Sequence, residues 1–255
     1  FSSNPINISD DSLNIYWGDF HTHGGFSRDG FGSDGYRFAR NGAGLDFYSG
    51  TDHSDFNQTD TFGINREEWN TLQQEAIRYN QPNRFVTFLG YENSLDNPSG
   101  HYNFIYNFED SLTQEIPMLA KNPLFTIQNF WIKLNQLNQK GKALSIPHHT
   151  GKLFGTSGPD NGASQFGGSF INKDYKRVIE IYSGHGLGEY YNPNHNLAYD
   201  KLGGRDTKFP CFAQDAWAIG ERLGVIASTD SHNGTPSQTN VGLAAILSDS
   251  LNRNK

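Results

Sequence analysis

Residues 14–30 read NIYWGDFHTHGGFSRDG, and the interpretation of the whole chain begins from this stretch. Its apolar and aromatic first half predicts a β-strand over residues 14–20, which is followed directly by His21 and His23. Side chains alternate along an extended segment, so two histidines separated by one residue point to the same side. The stretch therefore predicts a strand whose end presents two imidazole rings together.

Similar strands, separated by helices, are predicted along the rest of the chain. The strands are expected at residues 14–20, 45–50, 85–90, 102–106, 143–146, 177–182, 225–228 and 241–247. Helices are expected at residues 35–41, from a capping-box pattern at Asn65 and Glu68, around residues 130–137 with an end at Lys140-Gly141, and at residues 213–223. Such alternation is typical of βα units around a mostly parallel sheet. We therefore expect an α/β fold, with a barrel-like closure preferred to a doubly wound open sheet.

Length, charge and cysteine content limit the classes of protein to consider. The 255 residues suit a single domain over residues 1–255, with residues 1–13 as an N-terminal extension. The formal net charge of -7 argues against binding duplex nucleic acid through its phosphates. Cys211 is the only cysteine, which excludes an intrachain disulfide and a cysteine-rich zinc module. No apolar run approaches the roughly 20 residues of a membrane span.

The first residues, the last residues and two long loops allow further predictions about location and structure. The Asn-rich opening resembles the start of a mature exported protein, so a periplasmic or extracellular location is expected, with a cytoplasmic one as the alternative. The loop at residues 150–175 follows a strand and is expected to border a pocket, and a second long loop covers residues 190–210. Residues 241–247 are expected to pair into the sheet, with residues 249–255 frayed.

Most of the histidines, and several acidic residues, lie next to the predicted strands. They occur as His21-Thr-His23 with Asp29, Thr51-Asp52-His53, Tyr91-Glu92, Pro147-His148-His149, Ser183-Gly-His185 and Thr229-Asp230-Ser231-His232, while His101 lies just before its strand. The carboxyl ends of parallel strands converge on one face of an α/β fold, where binding sites are built. Imidazole and carboxylate ligands without thiolate suit Zn, Mn or Fe. The pattern therefore predicts a metal site with several ions.

These motifs, in their order and strand context, resemble those of the PHP (polymerase and histidinol phosphatase) superfamily. The stretches GDFHTHGGFSRDG, GLDFYSGTDHSDF, GYE and SGHYNF look closest to a poorly characterised PHP-like branch. The resemblance extends from about Trp17 to Asn233. It implies a distorted (β/α)7 TIM-like barrel with a trinuclear metal site at the C-terminal ends of the strands.

The resemblance also implies which residues bind each ion. One ion would be bound by His21, His23, Glu92 and Asp230, a second by Glu92, His101 and one of His148 or His149, and a third by Asp29, His53 and His232. Glu92 would thus bridge two ions. Asp29 departs from some relatives, which have a histidine there, and this replaces a nitrogen ligand by an oxygen. Between the two adjacent histidines, His148 is preferred because it lies nearer the strand, and His149 would then face the substrate.

The reaction implied by the resemblance is phosphomono- or diester hydrolysis by a metal-bound hydroxide. His149 or His185 would donate a proton to the leaving group, and Asp52 is a further candidate catalytic residue. Lys152 and Arg205 lie on the long loops and would bind a small or carbohydrate-linked anionic substrate. Two alternatives remain: hydrolysis of an amide, a lactone or a carbohydrate-linked group on the same metal core, and a non-catalytic metal-binding module.

Overall fold

The computed structural model describes residues 13–27, 29–32, 35–54, 64–95, 99–107, 126–137, 140–151, 165–190, 211–237 and 241–253. These residues form four α-helices and ten β-strands. In chain order they are β1 (Asn14–Asp19), α1 (Gly35–Asn41), β2 (Phe47–Tyr48), α2 (Arg66–Tyr79), β3 (Val86–Thr87), β4 (Leu89–Leu95), β5 (Gly100–Tyr106), α3 (Ile127–Gln136), β6 (Ala143–Pro147), β7 (Val178–Ser183), β8 (Gly186–Leu187), α4 (Ala213–Ala218), β9 (Gly224–Ala227) and β10 (Ala244–Ser248). None of these helices is long and apolar enough to cross a membrane.

The strands form three small sheets of mixed direction. Their strand orders are β10-β1-β2-β3, β4-β5-β6 and β8-β7-β9. The pairs β1–β2, β2–β3 and β7–β9 are parallel, whereas β1–β10, β4–β5, β5–β6 and β7–β8 are antiparallel. The described residues contain no closed barrel, so the prediction of a TIM-like barrel is wrong.

The connection between β4 and β5 shows why a barrel of βα units does not form here. Leu95 ends β4 and Gly100 begins β5, and the two residues are paired across the sheet. A parallel crossover needs about a dozen residues or more, so a link of this length permits only an antiparallel hairpin. The single strand predicted at residues 85–90 is in fact two strands. The first, β3, ends at Thr87, and the second, β4, begins at Leu89 and belongs to a different sheet.

The helices follow local sequence signals closely at their starts and less closely at their ends. The predicted capping box is confirmed: the Asn65 side chain accepts from the backbone N–H of Glu67 and Glu68, and Glu68 accepts from the Asn65 N–H. Helix α1 occupies the predicted residues 35–41. Helix α3 ends at Gln136, before the predicted Lys140-Gly141, and α4 covers only the first part of residues 213–223.

The largest apolar core lies between helices α2 and α3 and the β4–β5 hairpin. Trp69 of α2, Tyr91 of β4 and Phe130 of α3 belong to this core and are fully buried. Beyond the regular strands, parallel backbone bridges join Thr22 to Ser231 and His53 to Glu92. These bridges bring the segments after β1, β2 and β9 together beside the hairpin, and this is where the histidines lie.

The C-terminal segment pairs with the N-terminal strand. Strand β10 is antiparallel to β1, which confirms that the region of residues 241–247 enters a sheet. The expectation of a frayed end is wrong for its described part, since Leu251 is buried and its carbonyl accepts from the Asn83 N–H at 2.7 Å. Arg253 Nε donates to the Thr87 carbonyl at 2.6 Å, and Nη2 donates to Thr87 Oγ1 at 2.9 Å.

These bonds predict that Arg253 stabilises the fold. Arg253→Ala removes charged hydrogen bonds to a partly buried backbone, and we expect a loss of about 1–3 kcal/mol in the free energy of unfolding. Urea denaturation followed by circular dichroism measures this loss. The matched control is Arg222→Ala at an exposed position, which should stay within about 0.5 kcal/mol of the unmodified chain. Equal effects of the two substitutions would contradict the anchoring role.

Candidate metal centre

Eight of the nine histidines of the chain meet three carboxylates in one region of the structure. They form four overlapping sets whose possible ligand atoms lie within 4.8 Å of one another: His23, Asp29, His53 and His232; Glu92, His101, His148 and His149; His21, His23 and Glu92; and His149, His185 and Asp230. The predicted convergence of the strand-end motifs is therefore confirmed. The ninth histidine, His195, lies outside the described residues, as do the candidate substrate-binding residues Lys152 and Arg205.

Glu92 is the centre of this arrangement. Its Oε2 faces His21 Nε2 and His23 Nε2, both at 3.1 Å, and its Oε1 faces His101 Nδ1 at 3.0 Å, His148 Nε2 at 3.1 Å and His53 Nδ1 at 3.8 Å. Burial by itself would raise the pKa of Glu92, but His148 and His53 outweigh it and hold that pKa well below its usual range. Each carboxylate oxygen thus serves a different group of imidazoles.

The β4–β5 hairpin explains how Glu92 meets His101. Glu92 lies in the middle of β4 opposite Asn103, and His101 lies inside β5 opposite Ser94. The prediction that Glu92 ends a strand and that His101 precedes one is therefore wrong. His101 is two residues from Asn103 and so lies on the same face of the hairpin as Glu92, as a diagonal neighbour. A hairpin can bring these two side chains together without any contribution from strand ends.

Asp29 lies at the exposed edge of the cluster. Its Oδ2 is 3.2 Å from His53 Nε2 and 3.3 Å from His232 Nε2, and its side chain is 45% exposed. Burial opposes ionisation, but hydrogen bonds from His232 and His53 lower the pKa of Asp29 far below its usual value. The loop that carries Asp29 depends on Gly30, where an added Cβ would overlap the Gly24 carbonyl.

Like Glu92, Asp230 contacts different histidines through its two carboxylate oxygens. Its Oδ1 lies 3.2 Å from His21 Nε2 and 3.4 Å from His23 Nε2, while its Oδ2 lies 3.0 Å from His185 Nε2. Asp230 has φ 54° and His149 has φ 32°, and non-glycine residues rarely adopt this left-handed region. Such strain costs about 1–3 kcal/mol per residue and is typically found at functional sites.

Behind the ligand candidates, Glu180 holds His21. Glu180 Oε2 lies 2.9 Å from His21 Nδ1, and both side chains are buried. Burial lowers the pKa of His21, but Asp230 and Glu180 raise it well above its ordinary value. With Nδ1 directed at Glu180, the other ring nitrogen, Nε2, faces Glu92. The sequence interpretation gave Glu180 no role and missed this contact; an acidic residue inside the apolar strand VIEIYS was the available signal.

Two further aspartates support the site from its sides. Asp19 is buried and accepts from Thr229 Oγ1 at 2.6 Å and from the His21 N–H at 3.1 Å, and burial raises the pKa of Asp19 to about 6. It thereby joins the end of β1 to the segment after β9, a role that the sequence interpretation missed. Asp52 Oδ1 accepts from the backbone N–H of Gly24 at 2.7 Å and of Ser27 at 2.9 Å. Asp52 therefore shapes the loop after His23 and belongs to none of the four ligand sets.

The donor set fits divalent cations. His23 Nε2 and His148 Nε2 are buried and lie 3.1 Å from a Glu92 oxygen, yet neither makes an aligned hydrogen bond with the described residues. Nitrogen and oxygen atoms that face each other at this spacing could be ligands of a common ion. Imidazole with carboxylate, and no thiolate, is a ligand set for Zn, Mn or Fe.

The fold and the site together indicate a class of protein in which small mixed sheets hold a candidate centre for several metal ions. Residues 45–191 match the family described as "Protein of unknown function (DUF3604)", and the chain belongs to this family. No curated protein matches the chain at a significant level.

Solved structures include one that is similar over most of the chain. It is the crystal structure of a two-domain protein containing a predicted PHP-like metal-dependent phosphoesterase from Bacteroides vulgatus ATCC 8482. Its sequence is 19% identical, the TM-score is 0.49, and the match covers 92% of this chain and 57% of that one. The chain therefore spans less than two thirds of the length of that protein.

The contact between Glu180 and His21 predicts a role in metal affinity. Glu180→Ala frees the His21 ring to rotate and change tautomer, so we expect metal affinity to fall about 10–100-fold. Glu180→Gln keeps an oxygen that can accept from Nδ1–H and should lose less. Competition with a chromogenic chelator measures the affinities, and Glu67→Ala at an exposed position of α2 is the control. An affinity unchanged in Glu180→Ala would show that the contact is dispensable.

Proposed function

We propose that this protein is a PHP-like metal-dependent phosphoesterase that uses three divalent cations. The observation that carries the proposal is the contact pattern of the Glu92 carboxylate. Its two oxygens face two different groups of imidazoles at 3.0–3.8 Å. Only a carboxylate can offer one oxygen to each of two cations, and a buried anion among five histidines suits that purpose. The motif order that resembles the PHP superfamily supports the same assignment.

The three ions would be held by three sets of residues, of which the first two share Glu92. The first set is His21, His23, Glu92 and Asp230; the second is Glu92, His101 and His148; the third is Asp29, His53 and His232. His148 is assigned to the second set because its Nε2 lies 3.1 Å from Glu92 Oε1. When bound, such ions polarise a phosphoryl oxygen, lower the pKa of a water molecule and stabilise the leaving oxygen.

The negative charge of the ligand sets is compatible with an anionic substrate only if cations are bound. The four ligand sets contain three carboxylates. A phosphate ester would be repelled by these carboxylates, whereas divalent cations reverse the local charge. A small or carbohydrate-linked phosphoester is therefore the substrate class that we propose, and Lys152 and Arg205 remain candidates for binding its anionic part.

The exposed side of the cluster gives the direction of approach. The side chains of Asp29, His185 and His232 are 45%, 29% and 34% exposed, while Glu92 and His148 are buried. Substrate would enter past these exposed residues and meet the buried ones beneath. Burial lowers the pKa of His149 well below its ordinary value, with a further lowering from neighbouring His148 and His101, so this ring is neutral near pH 7 and suits ligation better than proton donation.

The test compares two carboxylates of different expected roles. In Glu92→Gln the negative charge between two cations is lost, so their mutual repulsion is less compensated. We expect this variant to lose at least one metal equivalent and about a thousandfold in turnover, which corresponds to about 4 kcal/mol of barrier. Asp29→Asn, at the edge of the cluster, should lose less and recover partly in excess metal. Metal content by mass spectrometry and hydrolysis of chromogenic phosphomono- and diesters by the Mn- or Zn-loaded protein are the measurements.

The control is Glu67→Gln, an exposed carboxylate on α2, which should leave both quantities unchanged. Full metal content and near-normal turnover in Glu92→Gln would refute the bridging role. A loaded, unmodified protein that hydrolyses neither phosphoester but cleaves amide or lactone substrates would refute the proposed reaction.

A further inference from the structure

A fourth set of potential ligands lies outside the three assigned above. His149 follows β6, His185 lies in the turn between β7 and β8, and Asp230 follows β9, and their candidate ligand atoms lie within 4.8 Å of one another. We propose that these three residues bind a further divalent cation that faces the substrate. The inference extends the metal centre of the proposed function and rests on it.

The geometry of Asp230 is the first argument. Its Oδ1 faces His21 and His23 of the first set, at 3.2 and 3.4 Å, and its Oδ2 faces His185 Nε2 at 3.0 Å. The side chain is only 3% exposed, and Oδ2 makes no aligned hydrogen bond with the described residues. Two ligand atoms bound to one cation at about 2.0–2.2 Å lie roughly 3 Å apart, which is the spacing found here. Asp230 would therefore link the first set to the fourth as Glu92 links the first to the second.

The adjacent histidines supply the second argument. His148 reaches Glu92 and completes the second set with His101, whereas His149 shares a set with His185 and Asp230. The ring of His149 lies 4.8 Å from that of His185, centroid to centroid, with the two planes perpendicular. The Pro-His-His run would thus provide one ligand to each of two neighbouring ions.

The donor types define the kind of ion and its access. Two imidazoles and one carboxylate form a set that binds Zn, Mn or Fe and leaves coordination positions open. His185 is 29% exposed, so the open positions would be directed to the side from which the substrate enters. The cation at this set would contact the anionic group of the substrate and exchange more readily than the ions around Glu92.

The experiment counts metal ions and does not depend on turnover. His185 occurs only in the fourth set and His232 only in the Asp29 set, and both side chains are partly exposed, so their substitution spares the core. The protein and the variants His185→Gln, His232→Gln and the double variant are loaded with Mn2+, freed of excess ion and measured by native mass spectrometry. We expect four ions in the unmodified protein, three in each single variant and two in the double variant. Circular dichroism melting verifies that the variants are folded.

Two results would overturn the proposal. The first is a His185→Gln variant that keeps the ion count of the unmodified protein, including the case in which its turnover falls, because His185 would then be a proton donor and not a ligand. The second is a double variant that loses only one ion, since the two sets would then share it. An unmodified protein without phosphoesterase turnover that still shows the stepwise loss would support the site and refute the proposed reaction.

Discussion

The buried carboxylate of Glu92 is the constraint on which the rest of the centre depends. Glu92 is 2% exposed, and an unpaired charge so far from water would be strongly destabilising. Five imidazoles contact it, and they come from the segments after β1, β2 and β6 and from β5. These segments must therefore stay together in the folded protein, whether protons or cations balance the charge.

The same constraint accounts for the polar groups behind the histidines. Glu180 orients His21, Asp19 ties the His21 backbone to Thr229, and Asp52 holds the loop after His23. Each of these carboxylates is buried and hydrogen-bonded, so none is left as an isolated charge. An imidazole bound to a metal commonly makes such a bond through its other nitrogen, which fixes its direction. The support around His21 is of this kind.

Features that depend on neighbours in the sequence were predicted well. The cap of α2 needs only Asn65 and Glu68, three residues apart, and it was found where predicted. The side-by-side placement of His21 and His23 follows from the alternation of an extended chain. The predicted barrel is absent from the described residues, because strands and helices do not alternate regularly along them. The short link between Leu95 and Gly100 was enough to exclude a parallel crossover at that point.

The sequence by itself determined which residue types are present, that most of them follow strands, and that imidazole and carboxylate prevail over thiolate. Only the tertiary structure decided which of them meet. Glu180 and His21 are 159 positions apart, and no local pattern records their contact. The separate directions of His148 and His149 and the sharing of Asp230 between His21 and His185 likewise depend on how three small sheets are placed. The physical reason is that caps and side-chain alternation arise from interactions within a few residues, whereas a metal centre is formed by distant segments that packing brings within about 3 Å of one another.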